Sequence, residues 1–179
     1  MLKIILTNFC YSVDWVVRQA GRIASLIMPV LALVVAFEVF SRYVLGKPTI
    51  WAFDLSLFMF GYLAALGGAY AQQQRAHINV DILYLKVSHR TRCVFNLISF
   101  SLAIFFLVII VMMSIGKFEE AIEFDYRRQS EWAPPMYHFW VMMVIACGLF
   151  IAQLTRDMLA ELYFLLTGHA LIEENCDGN

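Results

Sequence analysis

Residues 37–83 read FEVFSRYVLGKPTIWAFDLSLFMFGYLAALGGAYAQQQRAHINVDIL, and their middle decides the fold. Ile50 to Ala71 carries a single charge, Asp54. The run is bounded by the polar turn Arg42 to Thr49 before it and by Gln72, Gln73, Gln74 and Arg75 after it. As a helix such a run rises about 33 Å, enough to cross a hydrocarbon core of about 30 Å. A lipid-facing barrel strand would be about ten residues long and would alternate apolar with polar. This run does neither, so an α-helix is the form that satisfies its backbone in lipid.

Three more stretches repeat the pattern. Ile23 to Ser41 precedes it, with Glu38 as its one charge, and Cys93 to Ile115 and Met136 to Leu154 follow with none. Of the 179 residues, 61% are hydrophobic and 15% are charged, against roughly 25% charged in a soluble domain. The expected fold is an all-α integral membrane protein in which four transmembrane helices form an up-down bundle. Residues 1–179 make one domain, with spans at 23–41, 50–71, 93–115 and 136–154. Pro29 is expected to bend the first span, and Pro134 and Pro135 to occupy the first turn of the fourth.

Ahead of the first span, Leu2, Ile5, Leu6, Phe9, Val13 and Val16 recur at helical spacing. Leu2 to Ala20 therefore reads as an amphipathic helix lying on the membrane surface, with a frayed N-terminal extension of the first span as the alternative. Asn8 interrupts its apolar run and no small-residue cleavage site follows, so it does not read as a signal peptide. Lys3, Arg18, Arg22, Arg75, Lys86, Arg90, Arg92 and Arg156 fall on the side of the termini, against Arg42, Lys47, Lys117, Arg127 and Arg128 on the other. The excess places both termini in the cytoplasm. Glu119, Glu120, Glu123, Asp125 and Glu131 then face outward. The four cysteines share no oxidising compartment, so no disulfide is expected.

Charges at membrane depth need partners or a purpose. Glu38 and Arg42 lie four apart on one helix face, and Asp54 follows one turn into the next span. Arg42 is expected to bridge Glu38 and Asp54 and to pin the first hairpin. Gly61 with Ala65, and Ala64 with Gly68, place small residues four apart, where another helix can approach closely. In the second loop, Arg75, His77, Asp81 and Lys86 stay at the headgroups while Ile78, Val80, Ile82, Leu83 and Leu85 dip inward. His77 and Asp81 have a spacing that suits two metal ligands, but nothing accompanies them, so no metal site is expected. His77, His89, His138 and His169 lie at or beyond the span ends, which argues against haem. There is no phosphate loop or nucleophile–base set, hence no catalytic residue, cofactor or enzyme activity is expected. A net charge of −1 offers no reason to expect nucleic acid.

The quoted run also resembles the small membrane subunit, of DctQ type, of TRAP transporters. The resemblance is carried by Arg42–Tyr43–Val44, by the turn with Pro48 and Trp51, and by the acidic Asp54 where the family usually has glutamate. The small-residue half of span two, then Arg75, His77–Ile78 and Val80–Asp81, continue it, and Ser130 and Pro134 follow downstream. It implies a bacterial inner-membrane protein that scaffolds a large membrane subunit of DctM type. A periplasmic substrate-binding protein would deliver an organic acid, a carboxylate, for sodium-driven import. On this reading Glu38, Arg42, Tyr43, Trp51, Asp54, Gly61, Gly68, Arg75, His77 and Asp81 shape the subunit for its partner and for membrane lipids. Two readings compete. One is a stand-alone proton-coupled transporter working through Glu38, and the other is the membrane anchor of a respiratory enzyme.

Overall fold

The computed structural model describes residues 2–74 and 89–168. They form four helices: α1 (Leu2–Tyr43), α2 (Ala52–Gln73), α3 (His89–Glu123) and α4 (Tyr137–Thr167). All four are long and apolar enough to cross a membrane, and no β-strand occurs among the described residues. The up-down bundle has a loop end, with the turns α1–α2 and α3–α4, and a terminal end.

The amphipathic segment is helical, as its spacing predicts, but it is not separate. α1 runs unbroken from Leu2 to Tyr43, about 63 Å, and Pro29 sits inside it without interrupting it. A proline removes one backbone hydrogen bond, a loss that a long helix in lipid tolerates because the neighbouring turns remain bonded. Pro134 and Pro135 fall before α4 instead of in its first turn. Pro134 O accepts from Arg128 N at 3.0 Å, and Pro135 bridges Arg127 in an antiparallel pair. The prolines thus serve the loop, and Met136 caps the helix that begins behind them at Tyr137.

In cross-section the helices run α1, α2, α4, α3, and α1 also touches α4. Small side chains make the three-way contact possible. Ala20 and Ala24 of α1, Leu66 of α2 and Ala146 of α4 form one buried cluster. Leu107 of α3 meets Cys147 and Leu154 of α4 in a second, with Phe100 and Ile104 packed around it. Such close approach is how helices associate in lipid, where dispersion replaces the hydrophobic effect. α3 packs mainly on α4 and leaves Leu102, Phe105, Phe106, Met112 and Met113 exposed.

The tightest approach is at Gly21, where a Cβ would overlap Tyr70 Cγ and stand 2.5 Å from Cδ2. Nothing in the small-residue spacing of α2 pointed to it, because the glycine is on the partner helix. Gly21→Ala should therefore push α1 from α2 and cost about 1–3 kcal/mol. Adding Tyr70→Ala should recover part of that loss, since the two positions share one contact. Thermal unfolding of the two variants in detergent checks this, and additive losses would place the strain elsewhere.

Candidate functional site

Polar side chains collect at the two ends of the bundle. At the loop end, Glu38 is the acceptor around which the first hairpin closes. Arg42 Nη2 lies 2.5 Å from Glu38 Oε1 and Arg42 Nε donates to the same oxygen at 3.1 Å. The backbone N–H of Thr49 donates to Glu38 Oε2 at 3.1 Å, and the Thr49 hydroxyl donates there too. Ser41 Oγ donates to Lys47 O at 2.5 Å, and Gly46 takes φ +63°, which lets the chain reverse. Trp51 stacks over Phe37 with centroids 6.1 Å apart, while Tyr43 is exposed.

Asp54 does not join this group. It is 1% exposed, and its partners come from the α3–α4 loop. Arg128 Nε stands 2.6 Å from Oδ1, and the Ser130 hydroxyl donates to Oδ2. Ser130 Oγ in turn accepts from Ala133 N at 3.2 Å. The expected Arg42 bridge fails for a geometric reason. Asp54, Phe58 and Tyr62 recur every four residues on the α2 face turned toward α4 and its loop, whereas Arg42 remains half exposed beside Glu38. Asp54 thus clamps α2 to the α3–α4 loop. That loop is itself laced by Met136 N to Tyr126 O at 2.9 Å and Tyr126 N to Ala121 O at 3.0 Å.

About two turns along α2 from Asp54, the Tyr62 hydroxyl and His138 Nδ1 share a hydrogen bond, and Phe58 meets the His138 ring edge-on at 4.7 Å. His138 is therefore a packing residue between α2 and α4. The two singled-out glycines also face α4: a Cβ on Gly61 would stand 3.3 Å from Phe139, and one on Gly68 3.6 Å from Phe150.

The terminal end holds a cluster that sequence reasoning missed. Arg156 of α4 forks between Asp14 Oδ2 of α1, at 3.0 Å, and Asp157 Oδ1, at 3.1 Å. Gln72 of α2 donates to Asp157 Oδ2 at 3.0 Å, and the buried Gln153 to Asp157 Oδ1 at 3.2 Å. Gln73 donates to the Asp14 backbone carbonyl at 2.8 Å. Three helices are tied at one level, and Asn96 of α3 extends the tie by donating to Glu161 at 2.8 Å. Gln153 and Asp157 do sit four apart, a pattern that could have been noticed. Asp14 lies within the N-terminal amphipathic segment and the glutamines near the ends of spans two and four, and no local spacing relates the three segments.

The two polar ends fix a thickness. α1 rises about 36 Å from Asp14 to Glu38, and α2 about 29 Å from Asp54 to Gln73. That matches a hydrocarbon core of about 30 Å with a polar layer at each face. Between the clusters the described interior is apolar apart from the Tyr62–His138 pair and a few hydroxyl, thiol and amide groups. Among the described residues no group of three His, Cys, Asp or Glu side chains could hold a metal ion. Arg75, His77 and Asp81 lie outside the described residues.

Compared with known families, residues 31–163 match the one described as tripartite ATP-independent periplasmic transporters, DctQ component. No curated protein matches the chain.

Proposed function

The chain belongs to the DctQ component family of tripartite ATP-independent periplasmic (TRAP) transporters, and from that premise we propose that it is a static frame for a larger membrane subunit of DctM type. It is a small component of such a transporter and a multi-pass membrane protein. The transporter takes up an organic acid, a carboxylate, across the bacterial inner membrane on a sodium gradient. A periplasmic binding protein delivers the acid to the loop end of the bundle, and both termini are cytoplasmic.

One observation carries the frame reading. The charged groups that tie helices together sit at the membrane faces and are held by one another: Glu38 by Arg42 and Thr49, Asp54 by Arg128 and Ser130, and Asp14 and Asp157 by Arg156. Groups locked in this way hold a shape. A carboxylate that carries protons or ions must exchange partners, so the same observation weighs against transport through Glu38 alone.

Glu38, Arg42, Tyr43 and Trp51 form the hairpin edge offered to the partner, Asp54 sets the angle of the neighbouring loop, and Gly61 and Gly68 keep α2 close to α4. Arg75, His77 and Asp81 hold the other face against headgroups or partner. Replacing Arg42 by alanine should weaken co-purification of the large subunit severalfold while the chain itself still folds, because the Arg42 side chain is half exposed and Glu38 keeps its Thr49 donors. Normal assembly and uptake in that variant would sink the assignment of the hairpin edge. Solute movement by the purified chain alone in liposomes would sink the frame reading as a whole.

A further inference from the structure

At the loop end, a groove of about 290 Å³ opens between the last turns of α3, the start of the α3–α4 loop and the first turns of α4. Its walls include the apolar Ala121, Met136 and Trp140, its charged groups are Lys117, Glu120, Arg127 and Arg128, and Tyr126 and Gln129 complete the lining. With the polar clusters at the two ends as membrane faces, this is the level of lipid headgroups. Trp140 is one turn into α4, and Lys117 stands about 31 Å along α3 from Asn96 at the terminal-end cluster.

We propose that this groove binds a zwitterionic phospholipid with a primary ammonium headgroup, a phosphatidylethanolamine. Its phosphate lies on the arginines and its ammonium on Glu120.

Charge selects this headgroup. Arg127 uses Nε to reach Asp125 Oδ2 at 2.9 Å, and Arg128 uses Nε to reach Asp54. Each guanidinium retains terminal N–H groups with no hydrogen-bond partner among the described residues, that of Arg128 also lying over the Phe53 ring at 5.9 Å, and such paired donors suit phosphate. Lys117 Nζ engages Glu120 Oε2 at 2.7 Å, which leaves Glu120 Oε1 open among the described residues to a second cation. A purely anionic headgroup fits badly. Lys117, Arg127 and Arg128 are outnumbered by Glu119, Glu120, Glu123, Asp125 and Glu131 in the same stretch, and their summed field repels net negative charge. A headgroup carrying both signs meets both. The choline headgroup has the same charges but no N–H donor, so it can satisfy the arginines and not Glu120. Trp140 and Met136 offer an apolar floor for the glycerol and the first acyl carbons.

The test reconstitutes the full chain into nanodiscs of equal phosphatidylethanolamine, phosphatidylcholine and phosphatidylglycerol. Lipid retained after mild delipidation is then quantified by mass spectrometry. The wild type should retain phosphatidylethanolamine over phosphatidylcholine by about tenfold, the ratio one charge-assisted hydrogen bond supports. Glu120→Gln, at a half-exposed side chain, should lose that preference and gain phosphatidylglycerol, because Lys117 is then uncompensated. Arg127→Ala should lower retention of all three. Retention in proportion to the bulk mixture, a wild-type preference for phosphatidylglycerol, or an unchanged preference in Glu120→Gln would each overturn the proposal.

Discussion

Replacing Arg128 by alanine should destabilise the protein by about 4 kcal/mol, more than replacing the Asp54 it pairs with. The asymmetry follows from exposure. Asp54 is 1% exposed and its side chain cannot reach water, whereas a third of the Arg128 side chain is accessible. Without Arg128 a buried carboxylate is left with the single hydroxyl of Ser130. Without Asp54 the guanidinium can turn outward and be hydrated, so Asp54→Ala should cost only about 2 kcal/mol, chiefly the lost hydrogen bonds. The charge is the cause, so Asp54→Asn in the Arg128→Ala background should recover much of the loss. Ser130→Ala should cost about 1 kcal/mol. The readouts are thermal unfolding in detergent and hydrogen exchange of the 124–136 loop, whose amides should open first. If Asp54→Ala proves the more damaging of the two, the charge argument is wrong and the loop is held by packing.

The second large effect is expected at the opposite face. Arg156→Ala leaves Asp14 and Asp157 without their shared cation, and each is only about one-sixth exposed. The cost should be about 3 kcal/mol, at the lower edge of the range for breaking a buried pair because these side chains keep some contact with water. For a chain of this length that corresponds to a melting temperature lower by roughly 6–12 °C. Arg156→Lys should recover less than half of it, because one ammonium cannot fork between two carboxylates. Asp14→Asn combined with Arg156→Ala should cost less than the sum of the two single changes. The distinctive consequence is local. α1 should detach from α4 at its N-terminal half, so cysteine labelling of the buried Cys10 should accelerate while labelling of Cys147, farther along α4, stays slow. Equal acceleration at both cysteines would mean that the whole bundle loosened and that Arg156 is no local tie.

Both predictions concern contacts that join residues far apart in the chain, and these are the contacts the sequence does not reveal. The Glu38–Arg42 pair was legible because helical spacing brings positions four apart together. So were Gly61 and Gly68 as sites of close approach, although the helix they receive, α4, was not. Asp54 was legible as a charge in need of a partner, and the nearest cation in sequence, Arg42, was the wrong one. No periodicity relates it to Arg128. Gly21 and Tyr70 meet for the same reason, by the placement of two helices, and each looks unremarkable alone. His138 stood near a span end and became a partner of Tyr62 only once α2 and α4 were placed side by side.

Four helices able to cross a membrane, and the family of the chain, follow from the order of residues alone. Transfer of a long apolar run into lipid depends on composition and length, and a helix satisfies its own backbone without help from other segments. Which helices touch, and which charges neutralise which, is settled by packing. That depends on the rotation and depth of each helix against its neighbours, set by contacts such as Leu66 packed against Ala20, Ala24 and Ala146. Those packing energies are summed over many weak contacts between distant segments, and no local pattern in the chain encodes them.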